Sequence, residues 1–393
     1  MNPKPKLIRI TTVPISMNII LRGQLGFMNQ YFEVIGVTGY DFKHYTEIKE
    51  RENIRMHEID MVRNISVLKD LKALWQLYWF FKKEKPDIVH THTPKAGLLG
   101  MIASKIAGVP HRLHTVGGIP QIEFSGWRKK ILDITEKVTY RLAHKVYPNS
   151  LGLKQIILEM KYCPDSKLKV LANGSSNGVN IDFFKPNFAI NNIDEYKSIC
   201  RKKYNLDEND IVFLYVGRIA KDKGINELID AFEKLIREQS NTIKLILIGP
   251  FEKDHGILDN KTKRMLEENQ SIKVLGRFDD VRPFYLISDV FVFPTYREGF
   301  PNVVLEAQSM GLPCIVTNIN GCNEIIKNGY NGLIVSVKSS EDLYTAMRKL
   351  AFDKEYRLDL SSKSRKNIID NYRREIVWNA LLDEYNTFIG NKG

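Results

Sequence analysis

The chain alternates short apolar runs with longer segments in which apolar residues recur every three or four positions. Most of the short runs are rich in Ile and Val and end at turn residues. This alternation is typical of a parallel α/β architecture. It predicts strands at 7–11, 32–38, 88–92, 112–115, 145–148, 169–171, 211–216, 243–248, 272–275, 290–293, 314–317 and 332–335. Two doubly wound domains of six strands each follow from that count.

A turn-rich segment marks the expected domain boundary. Residues 173–180 are almost all Asn, Gly or Ser, and a polar helix is predicted soon afterwards. We therefore expect an N-terminal domain at 1–185 and a C-terminal domain at 186–372. The last stretch, 373–393, has the spacing of a helix with one buried face, and we expect it to pack back towards the N-terminal domain.

The net charge of +12 lies entirely in one half of the chain. Residues 1–190 hold 28 Lys and Arg against 16 Asp and Glu, whereas residues 191–393 hold 30 of each class. Such an excess points to a nucleic acid or an anionic membrane surface as a partner. No helix-turn-helix, RNP or zinc-finger pattern accompanies the charge, so a nucleic-acid-binding protein is the weaker alternative.

Cysteine usage and the N-terminal segment favour a cytoplasmic protein. The four cysteines are scattered, without a C-x-x-C spacing, which is typical of reduced thiols. Polar residues and Pro14 interrupt the apolar start of the chain, so we expect a buried first strand there and no signal peptide. No run reaches the roughly 18 apolar residues that a membrane-spanning helix needs.

In an open α/β sheet, ligands bind beyond the carboxyl ends of the strands. Directly after the strand at 211–216, Gly217 permits a tight exit, and Arg218 and Lys223 lie close to the start of a helix. Two cations at such a position are suited to a pyrophosphate, although they could also be solvated surface charges. Neither G-x-G-x-x-G nor a P-loop spacing occurs, so nicotinamide and P-loop sites lose their main support.

A second segment places two carboxylates on either side of a helix start. Pro301 suits the first turn of a helix that we expect to run to Met310, with Glu298 before it and Glu306 inside it. The free amides of residues 299–303 would form an anion site between the carboxylates. Since carboxylates accept hydrogen bonds from hydroxyls, the arrangement suits a phosphate with a polyol on each side, as in a nucleotide sugar.

Taken together, these segments resemble the retaining glycosyltransferases of family 4. Glu298 and Glu306 resemble the family's E-x7-E motif, residues 217–224 its G-R-x-x-x-x-K-G segment, and residues 177–180 its N-G-V-D linker. The motifs follow the family's order, and the likeness is to members that build bacterial capsule, O-antigen and exopolysaccharide. The resemblance implies the GT-B fold, in which two Rossmann-like domains face an interdomain cleft.

The resemblance also implies a role for each matching residue of the donor site. Arg218 and Lys223 would bind the donor diphosphate, Glu306 the ribose hydroxyls and Glu298 the transferred sugar. The remaining donor-binding positions would be Gly299, Phe300, Pro301, Asn302 and Val303, with Arg277 and Phe278 where the family holds the nucleobase. A uridine base fits this pattern best.

Two histidines end the strand at 88–92. His90 and His92 share a face because side chains alternate along a strand, and His92 comes last. In the family, a histidine at this strand end contacts the reacting sugar; His92 is the better match, with His90 left open. A structural role, or a metal site completed by His111 and His114, is the alternative.

Three further loops resemble the acceptor and phosphate loops of the family. Their residues are Gly23, Gln24, Lys95, Gly117 and Gly118. Glycine at these points would allow a close approach of the backbone to phosphate or acceptor. Lys95 would bind an acceptor phosphate, unless it is only a surface lysine.

A membrane contact is expected where an aromatic residue adjoins several cations. Trp127 stands next to Arg128, Lys129 and Lys130, which suits an interfacial contact with an anionic leaflet. The segment 68–83 is also aromatic and basic, but packing against a sheet accounts for such a helix equally well. Family members of this kind often use acceptors linked to a polyprenyl diphosphate.

The hypothesis is a retaining transfer of a hexose or N-acetylhexosamine from a UDP-sugar to a sugar acceptor. The acceptor is expected to be polyprenyl-diphosphate-linked, within bacterial surface polysaccharide synthesis, at the inner face of the cytoplasmic membrane. We expect no metal or other cofactor, since cations and helix amides can stabilise the leaving diphosphate. A nucleotide-sugar 2-epimerase of the same architecture is the alternative enzyme.

Overall fold

The computed structural model describes residues 3–62, 64, 66–119, 125–187, 192–238, 242–252 and 256–390, without the side chain of Arg128. The chain divides into two compact units. The first unit is Met1–Asn177 with Glu375–Gly393, and the second is Gly178–Arg374. The division falls slightly before the boundary expected from the sequence.

The first unit is built on a parallel sheet of six strands among the described residues. Its order is β3-β2-β1-β4-β5-β6. The strands are β1 Lys6–Ile10, β2 Glu33–Thr38, β3 Arg55–Glu58, β4 Ile88–His92, β5 His111–Val116 and β6 Lys145–Pro148. The helices are α1 Pro14–Ile20, α2 Gln24–Asn29, α3 Phe42–Glu52, α4 Val67–Glu84, α5 Pro94–Ala107, α6 Gly126–Leu142 and α7 Leu151–Glu159.

The second unit repeats this plan in its described part. Its sheet has the order β12-β11-β10-β7-β8-β9. The strands are β7 Ile211–Val216, β8 Ile243–Ile248, β9 Ile272–Val274, β10 Val290–Phe293, β11 Cys314–Thr317 and β12 Gly332–Val335. The helices are α8 Ile193–Lys203, α9 Ile225–Glu238, α10 Asn260–Glu268, α11 Arg282–Ile287, α12 Asn302–Ser309, α13 Cys322–Ile325, α14 Ser340–Phe352 and α15 Lys354–Asn371, and α16 Arg374–Gly390 leads into the first unit.

Continuous apolar strands explain why the sheets are parallel and covered on both faces. In β7, the residues from Val212 to Tyr215 are all fully buried, as are Val290, Phe291 and Val292 of β10. Helices on both sides of a parallel sheet require such strands, whereas a half-exposed sheet would alternate apolar and polar residues. The prediction of two six-stranded α/β domains is confirmed.

One predicted strand is wrong, and another was not predicted. Residues 169–171 form no strand; beside them is only an isolated bridge between Val146 and Leu168. In place of that strand, the first sheet contains β3, which was not predicted. It is an edge strand that pairs with β2 through Ile35 and Arg55. Its sequence, Arg-Met-His-Glu, is polar because an edge strand is partly exposed, so it lacks the apolar run by which the other strands were recognised.

The C-terminal helix supplies part of the first unit's core. Leu381 and Tyr385 of α16 are buried in one cluster with Leu7 and Leu25. The Tyr385 hydroxyl also lies 2.6 Å from Nδ1 of His90. Among the described helices, none combines the length and the apolar character needed to cross a bilayer.

The strand order reverses at the same point in both sheets. In each unit the first strand lies beside the fourth, β1 beside β4 and β7 beside β10. The crossover connections therefore leave these neighbouring strands in opposite directions, and a crevice opens beyond their carboxyl ends. The loops that follow these four strands are the ones in which a ligand site is expected.

Candidate active site

The switch point of the second sheet brings Lys223 and Glu298 into direct contact. Lys223 ends the short 3₁₀ turn Lys221–Lys223 that follows β7, and Glu298 lies in the loop after β10. Nζ of Lys223 is 2.5 Å from Oε1 of Glu298 and 3.4 Å from Oγ1 of Thr295. The side chains are only 11% and 21% exposed, respectively, so the ion pair is largely shielded from water.

Backbone contacts hold these two loops close together. Gly224 has a φ of 71°, and a Cβ atom there would lie 2.0 Å from the carbonyl oxygen of Pro294. Glycine is therefore required by both conformation and space. From the next loop, Nδ2 of Asn320 donates to the carbonyl oxygens of Glu298 and Gly299. The position of Glu298 is thus fixed by its backbone as well as by Lys223.

Arg218, the other predicted diphosphate ligand, is also paired with carboxylates. Its Nη1 lies 2.5 Å from Oε2 of Glu252, and its Nη2 lies 3.4 Å from Oδ2 of the buried Asp222. Burial lowers the pKa of Arg218, but the hydrogen bond to Glu252 and the charge of Asp222 outweigh it and raise the pKa overall. Asp222 also lies 3.6 Å from Arg297. Neither Asp222 nor Glu252 was expected in the site from the sequence.

Glu306 is half-buried on α12, where its Oε2 accepts a hydrogen bond of 3.1 Å from the Tyr285 hydroxyl. Burial raises the pKa of Glu306 to about 7, and the hydrogen bond from Tyr285 opposes that rise. Helix α12 begins at Asn302, so Pro301 is its N-cap and does not lie in the first turn as expected. The helix ends at Ser309, one residue before the expected Met310.

The other predicted donor-site residues differ in exposure. Gly299, Phe300 and Pro301 are buried, Val303 is half-buried, and Asn302, Arg277 and Phe278 are exposed. The ring of Phe278 meets Phe284 edge to face, with the centroids 4.7 Å apart. An exposed aromatic face after β9 is available for contact with a flat ligand.

In the first unit, the switch point holds a buried arginine that sequence reasoning did not select. Arg9 lies inside β1 with no exposed surface, and its Nε donates to Nε2 of His92 at 3.1 Å. Its Nη2 donates to Oε1 of Gln24 at 2.7 Å. Gln24, expected in an acceptor loop, is itself fully buried and holds Arg9. The available signal was a cation in the middle of an otherwise apolar strand.

The two strand-end histidines have different surroundings. Both ring nitrogens of His90 are engaged: Nδ1 lies 2.6 Å from the Tyr385 hydroxyl and Nε2 lies 2.8 Å from Oγ1 of Thr115. The His90 and His92 rings stack with centroids 4.5 Å apart. Burial is the main cause that lowers the pKa of each well below its usual range, with Arg9 contributing to both. His92 alone of the two retains a nitrogen, Nδ1, without a partner among the described residues.

His111 and His114, the histidines considered for a metal site, have partners of other kinds. Nδ1 of His114 lies 2.8 Å from Oγ1 of Thr91, and burial lowers the pKa of His114 to about 3. The ring of His111 lies against those of His144 and Phe388. Across the described ranges, His, Cys, Asp and Glu side chains form no group of three or more that could hold a metal ion.

The remaining acceptor-loop residues lie in separate loops of the first unit. Lys95 forms an ion pair of 2.7 Å with Asp70, so its charge is already compensated. Gly23 has a φ of 78°, and its N–H donates to Oε1 of Glu52. Gly117 and Gly118 follow β5, and a Cβ atom at either position would meet nothing within 4 Å. The last two positions are therefore open to an incoming group.

The predicted membrane-contact residues lie at the start of α6. Trp127 is 66% exposed, and Ile131 and Ile134 on the same helix are also exposed. Lys129 pairs with Asp133 at 2.7 Å, whereas Lys130 is exposed. The side chain of Arg128 lies outside the described residues.

Helix α4 presents a second apolar surface. Packing on the sheet accounts for its buried residues, which include Leu77, Phe80 and Phe81. It does not account for Leu68, Leu71, Trp75 and Trp79, which are 83%, 57%, 64% and 53% exposed. Because residues three, four and seven apart share a helix face, these four form one exposed stripe. The interpretation of this segment as sheet packing is therefore wrong for its tryptophans.

Two family models match the chain, one in each unit. Residues 33–174 match the model described as glycosyl transferase 4-like domain, and residues 197–367 match glycosyl transferases group 1. Together they span most of both sheets.

Curated relatives match over most of their length. The capsular polysaccharide biosynthesis glycosyltransferase CapM of Staphylococcus aureus is 35% identical over 98% of this chain and 97% of its own. The UDP-Gal:alpha-D-GlcNAc-diphosphoundecaprenol alpha-1,3-galactosyltransferase of Escherichia coli is 33% identical, with coverage of 84% and 83%. The N,N'-diacetylbacillosaminyl-diphospho-undecaprenol alpha-1,3-N-acetylgalactosaminyltransferase of Campylobacter jejuni is 26% identical, with coverage of 82% of each chain.

Solved structures match the whole chain. A glycosyltransferase from Rickettsia africae has a TM-score of 0.80 at 21% identity, with 100% of both chains covered. HepE of Anabaena, solved in complex with UDP, has a TM-score of 0.79 at 18% identity, with coverage of 98% and 100%. These likenesses show that the two units have the expected GT-B fold.

Because the pKa of Glu306 is raised, the protein should lose folding stability as the pH rises, and Glu306→Gln should not show this loss. Between its ordinary value of 4.5 and about 7, the folded protein retains a proton that the unfolded chain has lost. The free energy of unfolding should therefore fall with rising pH in this window, relative to the variant, by at most about 1.4 kcal/mol per pH unit. Urea titrations across the window measure the difference. Glu267→Gln, at an exposed position, is the control, and parallel curves for Glu306→Gln and wild type would contradict the assignment.

Proposed function

Because this chain belongs to the group 1 glycosyl transferases, it is a glycosyltransferase enzyme, and we propose that it transfers a hexose or N-acetylhexosamine from a UDP-sugar with retention at the anomeric carbon. The acceptor is a sugar linked to a polyprenyl diphosphate, and the product enters bacterial surface polysaccharide. The observation that carries the proposal is the Lys223–Glu298 ion pair at the switch point of the second sheet.

The donor site uses cations whose charges are now compensated by carboxylates. Lys223 and Arg218 each contact an acidic side chain, so a diphosphate that replaces the carboxylates leaves neither cation unpaired. Glu298, released from Lys223, is then available to accept hydrogen bonds from the hydroxyls of the transferred sugar. Glu306 does the same for the ribose. HepE, which shares the fold, was solved with UDP, and this supports a uridine nucleotide as the donor.

The chemical demand is the stabilisation of a leaving diphosphate. The bond from the anomeric carbon to the diphosphate oxygen breaks, and the acceptor oxygen bonds to the same face of that carbon. The acceptor's proton passes to the departing oxygen. Positive charge from Lys223 and Arg218, with the amides at the start of α12, stabilises the negative charge that develops there without a metal ion.

The relatives and the first unit support the proposed acceptor. The names of the Escherichia coli and Campylobacter jejuni relatives specify sugars linked to diphosphoundecaprenol. Gly117 and Gly118 leave room at the carboxyl end of β5, and His92 lies at the end of the adjacent strand. Lys95 would bind the acceptor phosphate in exchange for Asp70.

Binding to the inner face of the cytoplasmic membrane would give access to such an acceptor. The exposed stripe of α4 and the exposed end of α6 offer tryptophans next to lysines, the composition of an interfacial contact with an anionic leaflet. Both helices pack against α5, so they flank a common helix on the first unit. The basic excess of the N-terminal half supports the same surface.

Loss of Lys223 should abolish transfer while the fold is retained. Lys223→Met and Glu298→Gln should each reduce kcat/KM with a UDP-sugar and a lipid-linked acceptor by about 100-fold or more, because each removes a contact to the reacting groups. Lys221→Met, at an exposed position in the same turn, should stay within a few-fold of wild type. Near-normal turnover of Lys223→Met would contradict the site. Formation of a sugar epimer from the donor alone would instead support the epimerase.

Removal of the exposed aromatic and basic residues should weaken membrane binding selectively. Trp75→Ser with Trp79→Ser, and separately Trp127→Ser with Lys129→Glu and Lys130→Glu, should lower the partition into phosphatidylglycerol vesicles more than they lower UDP affinity. Each tryptophan that inserts into the membrane interface stabilises binding because its apolar area leaves water. Each lysine near an anionic surface adds about 1 kcal/mol to the binding free energy.

The control for charge is Lys354→Glu with Lys366→Glu, two exposed lysines of the second unit. These reversals should leave vesicle binding close to wild type. Vesicle sedimentation measures the bound fraction. If the control and the test variants lose vesicle binding equally, the binding depends on net charge alone and the proposed surface is contradicted.

A further inference from the structure

The guanidinium of Arg9 is buried with neutral partners. Among the described residues it forms no ion pair with a carboxylate, and its two bonded nitrogens donate to His92 and to Gln24. A buried cation without a counter-ion is costly. Burial accordingly lowers the pKa of Arg9. This cost means that Arg9 is poorly explained as a group that only stabilises the fold.

The bond from Arg9 determines which nitrogen of His92 carries the proton. An arginine Nε always bears hydrogen, so Nε2 of His92 must be the acceptor in this contact. In a neutral imidazole one nitrogen accepts and the other donates, which leaves the proton on Nδ1. Nδ1 has no hydrogen-bond partner among the described residues. His92 is therefore a buried donor without an acceptor in the described part of the chain.

A small cavity adjoins both residues. Its volume is about 10 Å³, which is room for about one oxygen of the size of a water molecule. Arg9, Gln24, His92 and Asn149 contribute polar lining. Nη1 of Arg9, like Nδ1 of His92, is buried without a partner in the described part of the chain. Oδ1 of Asn149, which lines the same cavity, is a third buried atom without a partner there, and it is an acceptor. An oxygen atom that bears hydrogen, such as a hydroxyl, can accept from the two donors and donate to Asn149.

We propose that Arg9 is a positioning residue that holds His92 in its neutral Nδ1–H tautomer, so that His92 meets a substrate oxygen as a hydrogen-bond donor and not as a base. The proposal rests on the proposed function in taking His92 as the residue next to the reacting sugar. It adds the direction of the hydrogen bond, the tautomer and the residue that sets it.

Gln24 completes the arrangement. Its amide nitrogen donates to the carbonyl oxygen of Ser176 at 3.1 Å and to Oδ1 of Asn177 at 3.2 Å, which orients its oxygen towards Arg9. This chain of hydrogen bonds fixes the guanidinium and, through it, the ring of His92. Because Nε2 of His92 already accepts the hydrogen bond from Arg9, its lone pair is not available to take a proton from a substrate.

The tautomer can be observed directly, without activity. Two-bond ¹H–¹⁵N spectra of the full chain labelled at histidine report which ring nitrogen is protonated, and His92→Asn assigns the signal by its loss. We expect a protonated Nδ1 and an unprotonated Nε2 in wild type, retention of that state in Arg9→Lys, and its loss in Arg9→Met. A wild-type His92 with the proton on Nε2 would overturn the proposal. Thermal unfolding midpoints establish that the variants are folded.

Two substitutions that each keep one of the two donor positions of the ring test whether Nδ1 of His92 donates in the reaction. The amide nitrogen of asparagine can take the place of Nδ1, whereas that of glutamine takes the place of Nε2. His92→Asn should therefore retain transfer within about tenfold of wild type, and His92→Gln should lose about 100-fold in kcat. Equal activities, or the reverse order, would overturn the proposal. If wild type transfers no sugar from any UDP donor, the proposed function fails, while the spectra still decide the tautomer.

Discussion

The ion pair between Lys223 and Glu298 spans the crevice that the topology of the second sheet creates. Strands β7 and β10 are neighbours, yet the chain leaves them in opposite directions, so their loops need a contact to define the space between them. The ion pair supplies it, and Gly224 and Asn320 bring the backbones into position. A ligand with a phosphate and hydroxyls can separate the pair and satisfy both partners at once. In the proposed function, the donor site and the stabilising contact are therefore the same two side chains.

The first unit meets the same topological constraint with different chemistry. Across β1 and β4, Arg9 donates to His92, and Oγ1 of Thr12 lies 2.8 Å from Oγ1 of Thr93. Here a cation is paired with a neutral ring, so the contact controls the protonation of the ring and does not form an ion pair. In the proposed function, the cations of the second unit stabilise the diphosphate, and the oriented donor of the first unit serves a sugar oxygen.

The fold was predictable because most buried parallel strands are apolar runs, and eleven of the twelve strands in the described part of the chain lie where the sequence predicted them. The polar edge strand β3 does not, since partial exposure removes the signal. In the candidate site, spacing singled out Lys223, Glu298 and Glu306, but the contact between Lys223 and Glu298 joins two distant loops and has no pattern in the sequence. Arg9 was overlooked because a strand cation resembles a surface charge until its burial is known. The tryptophans of α4 were misjudged because periodicity does not tell which apolar face of a helix is covered.

A structure of the protein bound to UDP would show whether Lys223 and Glu298 form the donor site. We expect that Nζ of Lys223 leaves Glu298 and contacts an oxygen of the diphosphate. We also expect Arg218 to leave Glu252 and contact the other phosphate, and Glu306 to accept hydrogen bonds from the ribose. UDP bound elsewhere, or bound here with the Lys223–Glu298 ion pair intact, would contradict the proposed donor site.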